Sequence, residues 1–260
     1  GDYGPNHFAL KKPTQLSIHP TPLKAHIDAL VLGINDGSLQ ASGDFKAKEF
    51  SAAIKAENLP TNFNIYPFVF DGRFAGDIDL SGSYSNPIAQ ADVTLKRLSI
   101  PSNDADENRY MDGHFTAHYQ DHIVTAEADL AGPAELKFKA KASLPLTVAP
   151  FGIPFDKPVS GTLNSSVDLK ALSLLLGLDE HSIAGRSALD VALSGTLNNP
   201  IITGNGNLRQ GKYENLLLGT NLQDIAGEVS ASNNRLTLKN LEGSDTNGGR
   251  FTGHGHIDFK

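Results

Sequence analysis

A repeat governs this sequence. Leu80-Ser81-Gly82-Ser83-Tyr84-Ser85-Asn86-Pro87-Ile88 returns as Leu193-Ser194-Gly195-Thr196-Leu197-Asn198-Asn199-Pro200-Ile201, with six of nine positions identical at an offset of 113 residues. The register holds without gaps on both sides: Ile54 meets Val167, Gly72-Arg73 meets Gly185-Arg186, and Leu95-Lys96 meets Leu208-Arg209. Further on, 111–117 resembles 225–231 at an offset of 114, a one-residue change of the kind a loop absorbs and a packed strand does not. A chain that repeats itself builds one supersecondary unit and adds more of the same. The expected organisation is a tail of a preceding unit over 1–51, one β repeat over 52–160 and a second over 161–260, in one continuous sheet.

Inside each repeat the period is two. Leu189, Val191 and Leu193 alternate with Asp190, Ala192 and Ser194, and Ile78 and Leu80 alternate with Asp77 and Asp79. Leu136 and Phe138 alternate with lysines, and Leu236 and Leu238 with Thr237 and Lys239. Such alternation gives half-buried strands with one apolar and one wet face. Gly-Thr, Asn-Pro, Asn-Asn and Gly-Gly pairs between them supply the turns of an antiparallel meander. The exception is 168–178, where Leu169, Leu172, Leu175 and Leu176 recur at helical spacing, so one short helix is expected near 169–177.

A single amphipathic sheet is expected to bury its apolar face by curling on itself or packing on a second sheet. The fold class expected is therefore all-β: a repetitive, curved antiparallel sheet forming a groove with an apolar concave face, plus the short helix. The inward candidates are Ile78, Leu80, Val93, Leu95, Leu136, Phe138, Leu189, Val191, Leu193, Leu208, Leu236, Leu238 and Phe251.

Composition closes several alternatives. A formal net charge of -7 argues against nucleic acid and against an anionic membrane surface, both of which select a basic face. The absence of cysteine removes disulfides, thiolate metal sites and a cysteine nucleophile. No apolar run reaches about 18 residues, and the first residues lack the pattern of a secretion signal.

The motifs that might carry chemistry each fall short. Gly206-Asn207-Leu208-Arg209-Gln210-Gly211-Lys212 approaches a phosphate-binding loop, but it is one residue short, Tyr213 stands where Ser or Thr would hold magnesium, and no helix pattern follows. Asp104, Asp106 and Asn108 have calcium-loop spacing, yet Arg109 replaces the turn glycine and Phe115 the bidentate glutamate. His114, His118 and His122 share a strand face, as do His254 and His256, without convergent carboxylates, and read as solvent-facing. No serine lies in a nucleophile elbow and no carboxylate pair sits in an apolar setting. Neither an enzyme nor a cofactor is expected, and a hydrolase or carbohydrate-binding β-helix lacks clustered acids and tryptophan.

The stretch from Leu189-Asp190-Val191-Ala192-Leu193-Ser194-Gly195-Thr196-Leu197 to Pro200 resembles the repeating unit of the TamB family. So do the strand at 206–213, Leu222-Gln223-Asp224-Ile225, Arg235-Leu236-Thr237-Leu238 and Gly248-Gly249-Arg250-Phe251-Thr252-Gly253. The likeness is strongest over 165–260 and moderate over 52–145. It implies a taco-like sheet in the periplasm of a Gram-negative bacterium, in a protein anchored in the inner membrane. It also implies a hydrophobic groove moving phospholipid between the two membranes, with acyl chains and an outer-membrane barrel of the TamA or BamA type as partners. The alternative implied is a scaffold that assembles nascent outer-membrane proteins by strand-edge pairing.

Overall fold

The computed structural model describes the chain except residues 1, 4–5, 61–62, 66–67, 100–109, 133–135, 149, 171–180, 216, 233 and 259–260. The strands in chain order are β1 (Asp2–Tyr3), β2 (Asn6–Leu10), β3 (Leu16–Pro20), β4 (Leu23–Ile34), β5 (Gly37–Lys46), β6 (Glu49–Pro60) and β7 (Phe63–Ile65). They continue with β8 (Phe68–Ser83), β9 (Asn86–Ser99), β10 (Tyr110–Gln120), β11 (Ile123–Ala131), β12 (Lys137–Pro145), β13 (Thr147–Val148) and β14 (Phe151–Gly152). The last six are β15 (Ser160–Asp168), β16 (His181–Thr196), β17 (Asn199–Asn215), β18 (Thr220–Ser232), β19 (Arg235–Asp245) and β20 (Arg250–Asp258).

The chain divides into two compact units, with β11 running across the boundary. The first holds 1–101, 110–128 and 145–153; the second holds 102–109, 129–144 and 154–260. In the first unit β2 and β3 pair with two different stretches of β4, and an antiparallel ladder then runs β4, β5, β6, β8, β9, β10. In the second it runs β12, β15, β16, β17, β18, β19, β20, again antiparallel throughout.

The repeat is a property of the backbone as well as of the sequence. The Tyr84–Ser85 turn between β8 and β9 matches the Leu197–Asn198 turn between β16 and β17. In each, a hydroxyl on the residue before the turn accepts the amide of the residue after it: Ser83 from Asn86 at 3.0 Å, Thr196 from Asn199 at 3.1 Å. The glycine beside that hydroxyl has positive φ in both, 104° at Gly82 and 86° at Gly195, a conformation that a Cβ opposes. The β8–β9 ladder slips between Asp71 and Arg73 and the β16–β17 ladder between Ala184 and Arg186, 113 residues later. Facing those bulges, Arg97 (φ 53°) and Gln210 (φ 52°) hold the same left-handed conformation although neither is glycine. A bulge inserts one residue without moving the apolar set to the other face, so the repeat preserves facing along the strand.

One expectation needs correction, and another falls largely outside the described residues. The sheet does not curl into a trough: within each unit the ladder is open, and among the described residues β20 pairs with β19 alone and its other edge closes on nothing. Few large side chains are fully buried, among them Leu59, Leu98 and Tyr119 in the first unit and Leu136, Val159 and Val167 in the second. The short helix near 169–177 falls chiefly on 171–180, outside the described residues. Among the described residues no helix is present beyond a single helical step at Leu169–Lys170, where the Asp168 carboxylate accepts the Lys170 amide at 2.9 Å.

Candidate functional site

Among the described residues two features stand out, and the apolar face is the larger. Directly opposed residues in an antiparallel pair project to the same side, so the register places the candidates. In the first unit Ile78 opposes Ile54 and Ala91, Leu80 opposes Ala52 and Ala89, Val93 opposes Gly76 and Phe115, and Leu95 opposes Phe74 and Gly113. Those four share one face. In the second unit Val191 opposes Leu163 and Gly204, Leu189 opposes Gly206, and Leu193 opposes Gly161 and Ile202. Leu208 opposes Ser187 and Gly227, Leu238 opposes Val229 and Gly255, Leu236 opposes Ala231, and Phe251 opposes Gly243. Phe138, opposite Ser165, joins that face, and Leu136 continues the same alternation. All are half-buried except Leu136, which is buried.

How the face stays half-covered within each unit is explained in part by what stands opposite some of its large side chains. At several positions the opposed residue is glycine, and at some of these, though not at Gly204 or Gly255, the large side chain lies over it. A Cβ built on Gly206 would stand 2.8 Å from Val229 Cγ2 and 3.2 Å from Leu189 Cδ1; one on Gly243 would stand 2.5 Å from Phe251 Cζ. On Gly211 it would meet Ile225 Cβ at 2.9 Å, and on Gly227 it would meet Leu241 Cδ1 at 3.2 Å. The sheet thus roofs its own apolar face with side chains folded sideways, as an aromatic laid over a cross-strand glycine does. This third way of covering an amphipathic sheet removes the need to curl. It also removes the hollow: the curved hydrophobic groove on which phospholipid transfer and the scaffold for outer-membrane proteins both depended is not formed, and those two functions fall with it.

The opposite face is wet and its charges are paired across strands. His26 Nδ1 lies 2.7 Å from Asp44, His114 Nε2 2.8 Å from Asp92, and Lys139 Nζ 2.8 Å from Asp129. Arg73, beside the first bulge, bonds Asp36 and the carbonyl of Asn58, whose amide reaches Asp36 at 3.1 Å. The hydrogen bond from Arg73 holds the Asp36 carboxyl below its ordinary value, and that from Arg235 does the same for Asp258. Exposed pairs of this kind stabilise little and are screened by salt.

The histidine row does not converge. His114 is taken by Asp92, while His122 Nδ1 lies 3.4 Å from the Tyr119 hydroxyl, which also donates to the Leu146 carbonyl at 3.3 Å. Among the described residues no group of three His, Asp or Glu side chains is placed to hold a metal. The phosphate-loop lookalike at 206–212 lies within β17, with a bulge at Gln210, and the strand runs on through Tyr213. Residues 104–108 lie outside the described residues.

The second feature was invisible in the sequence. His181, Tyr213 and Asn215 meet where β16 begins and β17 ends, with Asn215 only 5% exposed. Tyr213 Oη lies 2.9 Å and Asn215 Nδ2 3.3 Å from His181 Nδ1. His181 stands more than thirty positions from the other two, and only the β16–β17 register with its bulge brings it to them, so no local pattern could have flagged the cluster.

No protein-family model matches this sequence, and comparison with curated proteins and with solved structures gives no match either.

Proposed function

We propose that this chain is a non-catalytic structural segment: a repeat-built, self-roofed amphipathic β-sheet that contributes length and surface to a protein of the bacterial envelope. The observation that carries the reading is an asymmetry in what repeats. Turns, bulges and left-handed residues recur at the 113-residue offset. The polar constellations do not: Phe68, Ile100 and Ser102 occupy the positions equivalent to His181, Tyr213 and Asn215, and Asn205 occupies that of Asp92. A duplicated unit that keeps its backbone and lets its polar side chains drift is being used for its shape. The resemblance of 165–260 to the TamB repeat supports a periplasmic placement in an inner-membrane-anchored protein, with an outer-membrane barrel of the TamA or BamA type as partner.

An exchange experiment tests this. Residues 73–96 and 186–209 have equal length and equivalent register, so each is replaced by the other's sequence in the native gene. Swapped protein that folds, by circular dichroism and thermal unfolding, is expected to restore the phenotype of the deletion strain. Failure to restore it despite normal folding would mean that particular side chains carry chemistry, and the structural reading would be wrong.

A further inference from the structure

The His181, Tyr213 and Asn215 cluster has a hydrogen-bond logic that assigns the donors and the acceptor. Asn215 Oδ1 accepts the backbone N–H of Leu218 at 2.9 Å, which holds the turn Leu217–Gly219 leading into β18. That bond sets the amide's orientation, because the flipped amide would point an N–H at an N–H. The atom 3.3 Å from His181 Nδ1 is therefore Nδ2, which only donates. His181 Nδ1 is then the acceptor, its one lone pair directed at the Tyr213 hydroxyl at 2.9 Å and shared with the more distant Asn215 amide. The two rings stack with centroids 5.8 Å apart.

A proton on Nδ1 reverses this. The Tyr213 hydroxyl can rotate to accept, but the Asn215 amide nitrogen cannot, and it is left facing a donor in a buried position. Turning out to water relieves it, and doing so withdraws Oδ1 from the Leu218 amide. We infer that the β17–β18 turn is a pH-operated latch, closed by neutral His181 and opened when the imidazole is protonated.

The turn displays Leu217 and Leu218, 73% and 78% exposed, so the latch governs how rigidly two bare leucines are presented. Among the described residues Tyr213 is the titratable group facing His181. Lys212 and Glu214 alternate with it on β17, opposite Ala184 and Ser182. On β18 Thr220 and Leu222 oppose Asn215 and Tyr213, and Asp245 of β19 opposes Leu222. Asp179 and Glu180, which precede His181, lie outside the described residues. At the same offset the first repeat carries Phe68, Ile100 and Ser102, with no imidazole and no carboxamide among them.

Amide hydrogen exchange on the whole chain from pH 8 to pH 5 tests the latch, each rate being referred to its unstructured value at the same pH. Protection of the Leu218 amide is expected to fall about tenfold or more as the His181 ring takes up its second proton, the loss of one buried hydrogen bond. The Val159 amide, bonded to the Gly195 carbonyl at 2.9 Å, serves as the unmoved control. The midpoint of the fall should coincide with the chemical-shift titration of the His181 ring, a comparison that needs no variant. In His181→Gln a side-chain oxygen accepts at every pH, and Leu218 protection should stay constant; in Asn215→Ala it should be low throughout. Wild-type protection that does not change with pH, or an equal fall in His181→Gln, overturns the inference.

Discussion

Replacing Gly206 by alanine tests whether the sheet covers its own apolar face. The new methyl would lie 2.8 Å from Val229 Cγ2 and 3.2 Å from Leu189 Cδ1, inside the roughly 3.5 to 4.0 Å at which carbons rest. Leu189 can yield at its flexible end, but Val229 is β-branched and stiff about χ1. Overpacking of this kind costs about 1 to 3 kcal/mol, whereas alanine in place of a strand glycine gains only about 0.5 to 1 kcal/mol from the unfolded chain. The steric term wins, and Gly206→Ala should destabilise by about 1 kcal/mol. Gly255, on the same face opposite Leu238, has no heavy atom within 4 Å of a built Cβ. There only the entropic gain remains, and Gly255→Ala should stabilise by about 0.5 kcal/mol. Urea unfolding reads both as shifts in midpoint at constant slope. Adding Val229→Ala to Gly206→Ala should leave the double variant more stable than the two single effects sum to, because the clash has gone. If both glycine variants shift the midpoint the same way, side chains are not lying over their cross-strand glycines, and the explanation for the uncurled sheet fails.

Two further outcomes follow from particular residues. Gln210 holds φ of 52° at a bulge; Gln210→Gly should raise stability by about 1 kcal/mol by removing that strain, and a thermal midpoint that drops would show that its side chain does more than occupy the bulge. Asp36 has its folded-state value depressed by Arg73, so its contribution is complete above the ordinary aspartate value of 3.8 and is lost as pH falls below it. Asp36→Asn should therefore flatten the acid limb of the stability curve below that pH and leave its shape near neutrality unchanged; an unaltered acid limb would mean that the pair adds nothing.

The strands were legible because alternation is a local signal. Leu189, Val191 and Leu193 against Asp190 are half-buried against exposed in the structure, and the Tyr84–Ser85 and Leu197–Asn198 turns fall between the strands that the repeat had marked. The bulges were not legible. Arg97 and Gln210 carry no glycine signature, and their left-handed conformation is imposed by pairing with a neighbouring strand. The wrong step was the inference from an amphipathic sheet to a curled one. It counted two ways of covering an apolar face and overlooked a third that depends on which residues stand opposite, such as Val229 over Gly206 and Phe251 over Gly243.

The sequence by itself determined the repeat, the antiparallel strands and which residues share the apolar face, because a two-residue period and a fixed offset need no partner to be read. The tertiary structure alone decided whether that face curls, closes or lies open, and which distant polar groups meet at the end of β17. Both depend on register, the pairing of residues far apart in the chain, and a one-residue bulge is enough to change what a glycine lies beneath or what a histidine touches.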